Sequence, residues 1–112
     1  YPVRGDIIRE YTKGKNEGID IAATPGTPVK AAASGVVAAI TEDTNGVPII
    51  VVKHPDNLLT VYTNLENLSV AKGDSIGDGQ TLGRVRSGEP SFVHFEVRRG
   101  LQSVDPTEVL PN

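Results

Sequence analysis

The sequence has no cysteine, no methionine and no tryptophan, and aromatic residues account for only 4% of it. Without cysteine, the chain can form no disulfide, no thiolate nucleophile and no cysteine-ligated metal centre. The longest apolar run, residues 47–52, contains Pro48 and is far shorter than the roughly 20 residues that a membrane-spanning helix needs. The net charge of −3 argues against a basic face that binds nucleic acid.

The length of 112 residues predicts one domain around a single core. The sequence shows neither an initial methionine nor a signal peptide, so we expect it to be a piece of a longer protein. Twelve glycines and eight prolines interrupt it every few positions and leave little room for helices. The apolar segments between them are rich in valine, isoleucine and threonine, as strands are. We predict strands at residues 7–11, 18–22, 29–31, 35–42, 49–54, 59–64, 81–85 and 92–98.

Turn chemistry indicates how some of these strands connect. Residues 43–46 read Asp-Thr-Asn-Gly, and Asn-Gly tolerates the positive φ of tight hairpin turns, so strands 35–42 and 49–54 are expected to pair antiparallel. Pro55 cannot donate to a strand ladder, which ends the second strand and favours another reversal. Residues 70–80 are predicted to form two tight turns around Ile76. The fold class is therefore all-β, a single antiparallel β-sandwich or partly open barrel.

His94 lies in a strand whose two faces differ. Alternation along residues 92–98 places the valines and Phe95 on the core face and His94 on the opposite face. That opposite face also carries Phe92, Glu96 and Arg98. We predict a surface ion pair between Glu96 and Arg98. An aromatic residue on this face favours a groove or a partner over plain solvent.

Two other residues could carry chemistry. Asp20 shares its strand face with Gly18 and Ala22, whose small size leaves room for another group to approach. His54 ends a predicted strand just before Pro55, and we expect it to be an ordinary surface histidine in a turn.

Three segments together carry the residue patterns of a known family. Residues 16–20 read Asn-x-Gly-x-Asp, residues 62–64 read Tyr-x-Asn, and residues 92–96 read Phe-x-His-Phe-Glu. They resemble the patterns His-x-Gly-x-Asp, Tyr-x-His and His-x-His-Phe-Glu of the LytM/lysostaphin-type zinc metallopeptidases. Residues 25–37 and 72–80 are also similar to segments of that family. The resemblance covers nearly the whole chain and implies a single LytM-type domain over residues 1–112.

The departures from the family patterns fall on its active-site positions. In active members, the resemblance implies, zinc is held by the first histidine, the aspartate and the last histidine, while two more histidines assist the attacking water. The ligand positions here are Asn16, Asp20 and His94, and the assisting positions are Asn64 and Phe92. An amide is a weak zinc ligand, and Phe92 cannot transfer a proton. Because a catalytic zinc needs three protein ligands and an open position, we predict a degenerate domain without metal, cofactor or peptidase activity.

Degenerate LytM domains of the NlpD and DipM kind imply a different use for such a site. By this resemblance, the chain is expected in the periplasm, at the cell envelope of a Gram-negative bacterium, where it binds and activates a peptidoglycan amidase during cell division. Without metal, Asp20 and His94 are expected to pair directly. The former substrate groove then receives a segment of the amidase. We expect the contacts to come from Lys15, Asn16, Tyr62, Asn64, Arg86, Phe92 and His94.

Three other functions stay open at this point. A residual zinc peptidase acting on peptidoglycan would hold stoichiometric zinc. A passive peptidoglycan-binding module would bind purified cell wall without any amidase. A carrier domain of the biotinyl or lipoyl type resembles residues 30–37 and 72–80, but residues 16–29 contain no lysine to carry the group.

Overall fold

The computed structural model describes residues 1–100 and 102–109. In these residues the protein forms eleven strands, a 3₁₀ turn at Pro55–Asn57 and one short helix, and no helix is long and apolar enough to cross a membrane. The predicted domain also includes residues 101 and 110–112, which lie outside the described residues. The elements are β1 (Ile7–Arg9), β2 (Ile19–Ala22), β3 (Pro28–Lys30), β4 (Gly35–Glu42), β5 (Pro48–His54), β6 (Leu58–Thr63), β7 (Leu65–Glu66), β8 (Ser75–Ile76), β9 (Thr81–Val85), β10 (Phe92–Arg99), β11 (Gln102–Val104) and α1 (Pro106–Val109).

Two antiparallel sheets make up the domain. The larger sheet has the strand order β1-β2-β10-β6-β5-β4-β8, with β11 also paired to β10, and the smaller sheet has the order β3-β9-β7. Every pair between these strands is antiparallel. The prediction of an all-β antiparallel domain is confirmed.

Buried side chains of both sheets form one apolar cluster. In β10 the burial alternates as predicted, with Phe95 and its neighbouring valines buried and His94 on the other face. The rings of Tyr62 and Phe95 pack with their centroids 5.3 Å apart. Leu65 and Leu82 of the smaller sheet are fully buried against this group. The inner face of β10 is thereby anchored in the core, which fixes the positions of the side chains on its outer face.

Both predicted turn regions are present. Asp43 Oδ1 accepts hydrogen bonds from the backbone nitrogens of Asn45 and Val47 at 2.8 and 3.0 Å, and the hairpin joins β4 to β5 in antiparallel register. Residues 70–80 turn twice around Ile76, which is buried. Local side-chain chemistry was sufficient to predict these connections.

Several short elements were not predicted. Strands β7 and β8 have only two residues each, and β11 has three, which is too short for a recognisable alternation. Strand β6 ends at Thr63 and not at Asn64, because Asn64 has a φ of 75° that a strand cannot accommodate. At the tail, Asp105 caps α1 by accepting a 3.0 Å hydrogen bond from Thr107 N.

The prediction that His54 lies on the surface is wrong, because its side chain is buried. Its Nδ1 lies 2.7 Å from the carbonyl oxygen of Ser34, and its Nε2 lies 2.8 Å from Thr60 Oγ1. The hydroxyl of Thr60 is in turn 2.9 Å from that of Tyr62, which accepts a 3.0 Å hydrogen bond from Ala32 N. This buried polar chain satisfies both ring nitrogens, so burial of the histidine carries no unpaired polar group.

Gly18 provides a test of how closely β2 approaches β10. A Cβ atom at Gly18 would lie 2.3 Å from the carbonyl oxygen of Phe95. We expect Gly18→Ala to lower the free energy of unfolding by about 1–3 kcal/mol through overpacking. The exposed Gly77 has open space around its would-be Cβ, so Gly77→Ala should change stability by less than about 0.5 kcal/mol. Urea unfolding of both variants measures the difference, and equal stabilities would contradict the close approach.

Candidate functional site

Strands β2 and β10 bring two predicted site residues together at the centre of the larger sheet. In their antiparallel register Asp20 lies directly opposite His94. His94 Nδ1 is 2.6 Å from Asp20 Oδ1. Both side chains are largely shielded, with 20% of His94 and 10% of Asp20 exposed. The predicted direct pairing of these two residues is confirmed.

Glu96 extends this pair along β10. Its Oε2 lies 2.8 Å from His94 Nε2, and its Oε1 accepts hydrogen bonds from Arg98 Nη2 at 2.7 Å and Nε at 3.0 Å. The predicted pairing of Glu96 with Arg98 is confirmed, but it is not a surface pair, because only 15% of the Glu96 side chain is exposed. Its continuation to His94 was missed, although residues two apart on a strand share a face. We call Asp20, His94, Glu96 and Arg98 the charge chain.

The charge chain favours a protonated His94. Desolvation of the ring acts against its charged form, but hydrogen bonds to Glu96 and Asp20 and their negative charges outweigh it, so the pKa of His94 is raised above 6.5. For Glu96, desolvation acts against the charged form, but hydrogen bonds from His94 and Arg98 and their positive charges hold its pKa below 4.5. Since ionised carboxylates only accept hydrogen bonds, these two contacts favour a ring with protons on both nitrogens.

Asn16, the residue predicted to match the family's first ligand position, is also engaged. It is buried, and its Nδ2 donates hydrogen bonds to the carbonyl oxygens of Glu10 at 2.9 Å and Gly18 at 2.8 Å. These contacts hold the segment before β2 against the start of that strand. The Asn16 amide therefore acts as a structural donor.

The arrangement does not fit a zinc ion held in the family's manner. Zinc needs the lone pair of a neutral imidazole nitrogen, whereas each ring nitrogen of His94 lies against a carboxylate and the raised pKa favours the protonated ring. Asn16 offers a weak amide oxygen in place of an imidazole. Across residues 1–100 and 102–109, no group of three histidine or carboxylate side chains is arranged to hold a metal ion.

Three further predicted residues meet at one end of the site. Asn64 Nδ2 donates a 2.8 Å hydrogen bond to the carbonyl oxygen of Phe92, and the backbone nitrogen of Arg86 donates to the carbonyl of Asn64 at 3.1 Å. Phe92 is half-buried and Arg86 is exposed. Lys15 lies elsewhere, beside Asn16, in an open depression of about 520 Å³ along the edge strand β1.

Tyr62 is not available as a groove contact, so that expectation is wrong. Its side chain is fully buried against Phe95. In β6 one face carries Thr60 and Tyr62 into the core, while Leu59 and Val61 lie on the opposite face, where Val61 is 8% exposed. The sequence could not distinguish these alternatives, because β6 has apolar residues on both of its faces.

An apolar surface beside the charge chain was missed by the sequence analysis. In the register of β10 and β6, Glu96 lies opposite Val61, and Arg98 lies opposite Leu59. Together with neighbouring side chains of β5, these residues line a concave surface of about 420 Å³ on the outer face of the sheet. We call this surface the groove; it is lined by Ile49, Val51, Leu59, Val61, Thr63, Glu96, Arg98 and Gly100.

The chain belongs to Peptidase family M23, whose family model matches residues 14–106. The match confirms the resemblance to LytM-type peptidases. The fold is similar to that of a zinc-containing peptidase from Vibrio cholerae, with a TM-score of 0.87 and 24% identity over 99% of this chain and 40% of that chain. At this identity, the likeness concerns the fold alone.

Three curated relatives cover 99% of this chain. They are the uncharacterized lipoprotein YgeR of Escherichia coli (strain K12), 33% identical over 116 residues, the cell division protein DipM of Caulobacter vibrioides, 35% identical over 129 residues, and the murein hydrolase activator NlpD of Escherichia coli (strain K12), 31% identical over 116 residues. The matches cover 46%, 20% and 31% of these relatives, respectively. The chain therefore spans less than half of each relative's length.

The charge chain predicts a pH optimum of stability. The pKa of His94 is raised in the folded protein. Its contribution to the free energy of unfolding is therefore complete below about pH 6.5 and is lost as the pH rises through the folded pKa. The pKa of Glu96 is lowered in the folded protein. Its contribution to the free energy of unfolding is therefore complete above about pH 4.5 and is lost as the pH falls through the folded pKa. Urea unfolding of the wild type and His94→Gln across this range should give a difference that shrinks as the pH rises above 6.5. A difference independent of pH would contradict the charged state of His94.

Proposed function

We propose that this chain is a non-catalytic M23 domain that binds a peptidoglycan amidase through the groove and activates it during cell division or cell-wall remodelling. The observation that carries this proposal is the charge chain, in which carboxylates hold both ring nitrogens of His94. Two relatives support the functional class, because one is named a murein hydrolase activator and another a cell division protein.

The same residues argue against hydrolysis. A catalytic zinc needs three protein ligands and an open position for the water that it activates. Here the Nδ2 of Asn16 donates to backbone carbonyls, which leaves only its amide oxygen, a weak zinc ligand, and both ring nitrogens of His94 lie against carboxylates. At the assisting positions, Phe92 has no titratable group, and the amide of Asn64 does not transfer protons near neutral pH. These contacts support a site that neither generates nor uses an activated water.

The outer face of the sheet suits recognition of a protein segment. Half-buried side chains such as Val51 and Leu59 offer apolar contacts, and covering them removes apolar area from water. Arg98, which is 37% exposed, lines this surface, and the half-buried Phe92 lies on the same face of β10. Aromatic and arginine side chains are frequent anchors at interfaces. An amphipathic segment could bind this face in one orientation. Its apolar side would cover the apolar side chains of the groove, and its polar side would contact the charge chain.

The proposed place of action is the cell envelope of a Gram-negative bacterium, on the periplasmic side. YgeR is named a lipoprotein, and so is a relative from Pseudomonas aeruginosa that is 32% identical over 99% of this chain. An amidase that cuts peptidoglycan works in the same compartment as its substrate. The location and the proposed partner are therefore consistent with each other.

Val51→Asp tests the groove as the amidase contact. The variant places an unpaired carboxylate in the apolar contact, which we expect to weaken amidase binding about 30-fold, or about 2 kcal/mol. Val36, which is 43% exposed and lies outside the groove, serves as the matched control: Val36→Asp should bind like the wild type. Calorimetry with purified amidases gives the affinity, and thermal unfolding confirms that both variants fold. If Val51→Asp activates amidases as well as the control does, the groove is not the contact.

A second test separates activation from the alternative functions. Dye-labelled peptidoglycan is incubated with the chain alone, with an amidase alone and with both, after the chain has been supplied with zinc. We expect dye release only with amidase present, a large increase on adding the chain, and no stoichiometric zinc on the chain. Release of peptide by the chain alone, abolished by Asp20→Asn, would instead establish a residual peptidase. Tight binding to cell wall without any effect on amidases would establish a passive binding module.

A further inference from the structure

A small polar pocket adjoins the groove at Arg98. It has a volume of about 360 Å³ and is lined by Lys13, Glu17, Arg98, Gln102 and Ser103. We call it the donor pocket. Arg98 of β10 pairs with Ser103 of β11 on one side and with Leu59 of β6 on the other. Directly paired residues point to the same face of a sheet. The groove and the donor pocket therefore lie on one face and adjoin at Arg98, which lines both.

Hydrogen-bond acceptors around this pocket are already occupied. Glu17 Oε1 accepts from the backbone nitrogen of Gly14 at 3.3 Å, and Glu17 Oε2 accepts from the hydroxyl of Ser103. Both oxygens of Glu96 are taken by His94 and Arg98. Glu96 is paired with charged groups, whereas the partners of Glu17 are neutral, so Glu17 keeps one negative charge in the donor pocket.

Donors remain in excess by contrast. Among residues 1–100 and 102–109, no carboxylate lies within ion-pair distance of the exposed Lys13. Arg98 uses Nε and Nη2 on Glu96, which leaves Nη1 directed to neither of its oxygens. The exposed Gln102 adds an amide that can donate. Lys13 and Arg98 bring two positive charges to the lining against the one negative charge of Glu17, so the donor pocket is complementary to a further carboxylate.

We propose that the donor pocket binds a carboxylate side chain of the amidase segment that occupies the groove. This inference rests on the proposed function and adds the chemistry of the partner: apolar side chains lie on Val51, Leu59 and Val61, and an acidic residue beyond them meets Lys13 and Arg98. A charge-assisted contact at the end of an apolar groove fixes the direction in which the segment lies. The donor pocket thereby favours amidase segments that carry an acidic residue beyond their apolar side chains over segments that lack one.

The test is the salt dependence of amidase binding to Lys13 variants of the full chain. We expect Lys13→Gln to weaken binding about tenfold at low salt and to show a shallower loss of affinity with added salt than the wild type. Lys13→Arg, which keeps the charge, should retain most of the affinity. Lys72 is an exposed lysine in a distant turn, so Lys72→Gln is the matched control and should bind like the wild type. Thermal unfolding confirms that all variants fold.

The outcomes distinguish this inference from the proposed function. One outcome is that Lys13→Gln binds amidase like Lys72→Gln while Val51→Asp does not bind. The groove would then remain the amidase contact, and the proposed carboxylate contact in the donor pocket would be overturned. If Lys13→Gln loses binding to purified peptidoglycan but keeps its affinity for amidase, the carboxylate belongs to the cell wall, and the inference is overturned as well. If the wild type binds no amidase, both fall together. A tenfold loss confined to Lys13→Gln, with the shallower salt dependence, supports it.

Discussion

The hydrogen-bonded series from Asp20 through His94 and Glu96 to Arg98 determines what the outer face of the sheet can do. It places two carboxylates on one imidazole, which favours the doubly protonated form of that ring. A cationic imidazolium thus stands among the positions where the family's active members are expected to bind a cation. Removing either carboxylate would leave His94 without a partner on that side in a largely shielded place, where unpaired polar groups are costly.

The sheet holds these side chains in position because the opposite face of its strands packs in the core. Phe95, between His94 and Glu96, is fully buried against Tyr62, and the alternation of β10 therefore directs both polar side chains outward. The next strand, β6, adds Val61 opposite Glu96, so polar and apolar side chains adjoin on one face. That combination is suited to a binding surface, because a partner gains apolar contact and also meets a fixed pattern of charges.

Local sequence rules predicted side-chain orientation and turns correctly. They failed where contacts between distant segments determine whether a side chain is buried. Alternation oriented His94 correctly, and the Asn-Gly turn predicted the hairpin of β4 and β5. Family patterns located Asp20 beside His94, which no local rule could have paired across 74 positions. Tyr62 was misassigned because β6 is apolar on both faces, so nothing in the strand distinguishes core from surface. His54 was misassigned because its hydrogen-bond partners, Ser34 and Thr60, come from different turns and strands.

The most direct measurement of the central claim is nitrogen-15 NMR of the His94 ring in the intact chain near pH 6, with and without one equivalent of zinc. We predict a spectrum of an imidazolium with protons on both ring nitrogens, with couplings to both, that zinc leaves unchanged. A ring nitrogen that loses its proton and shifts to a metal-bound position on adding zinc would show that His94 is free to coordinate. In that case the site would be a latent metal centre, and the non-catalytic account would be contradicted.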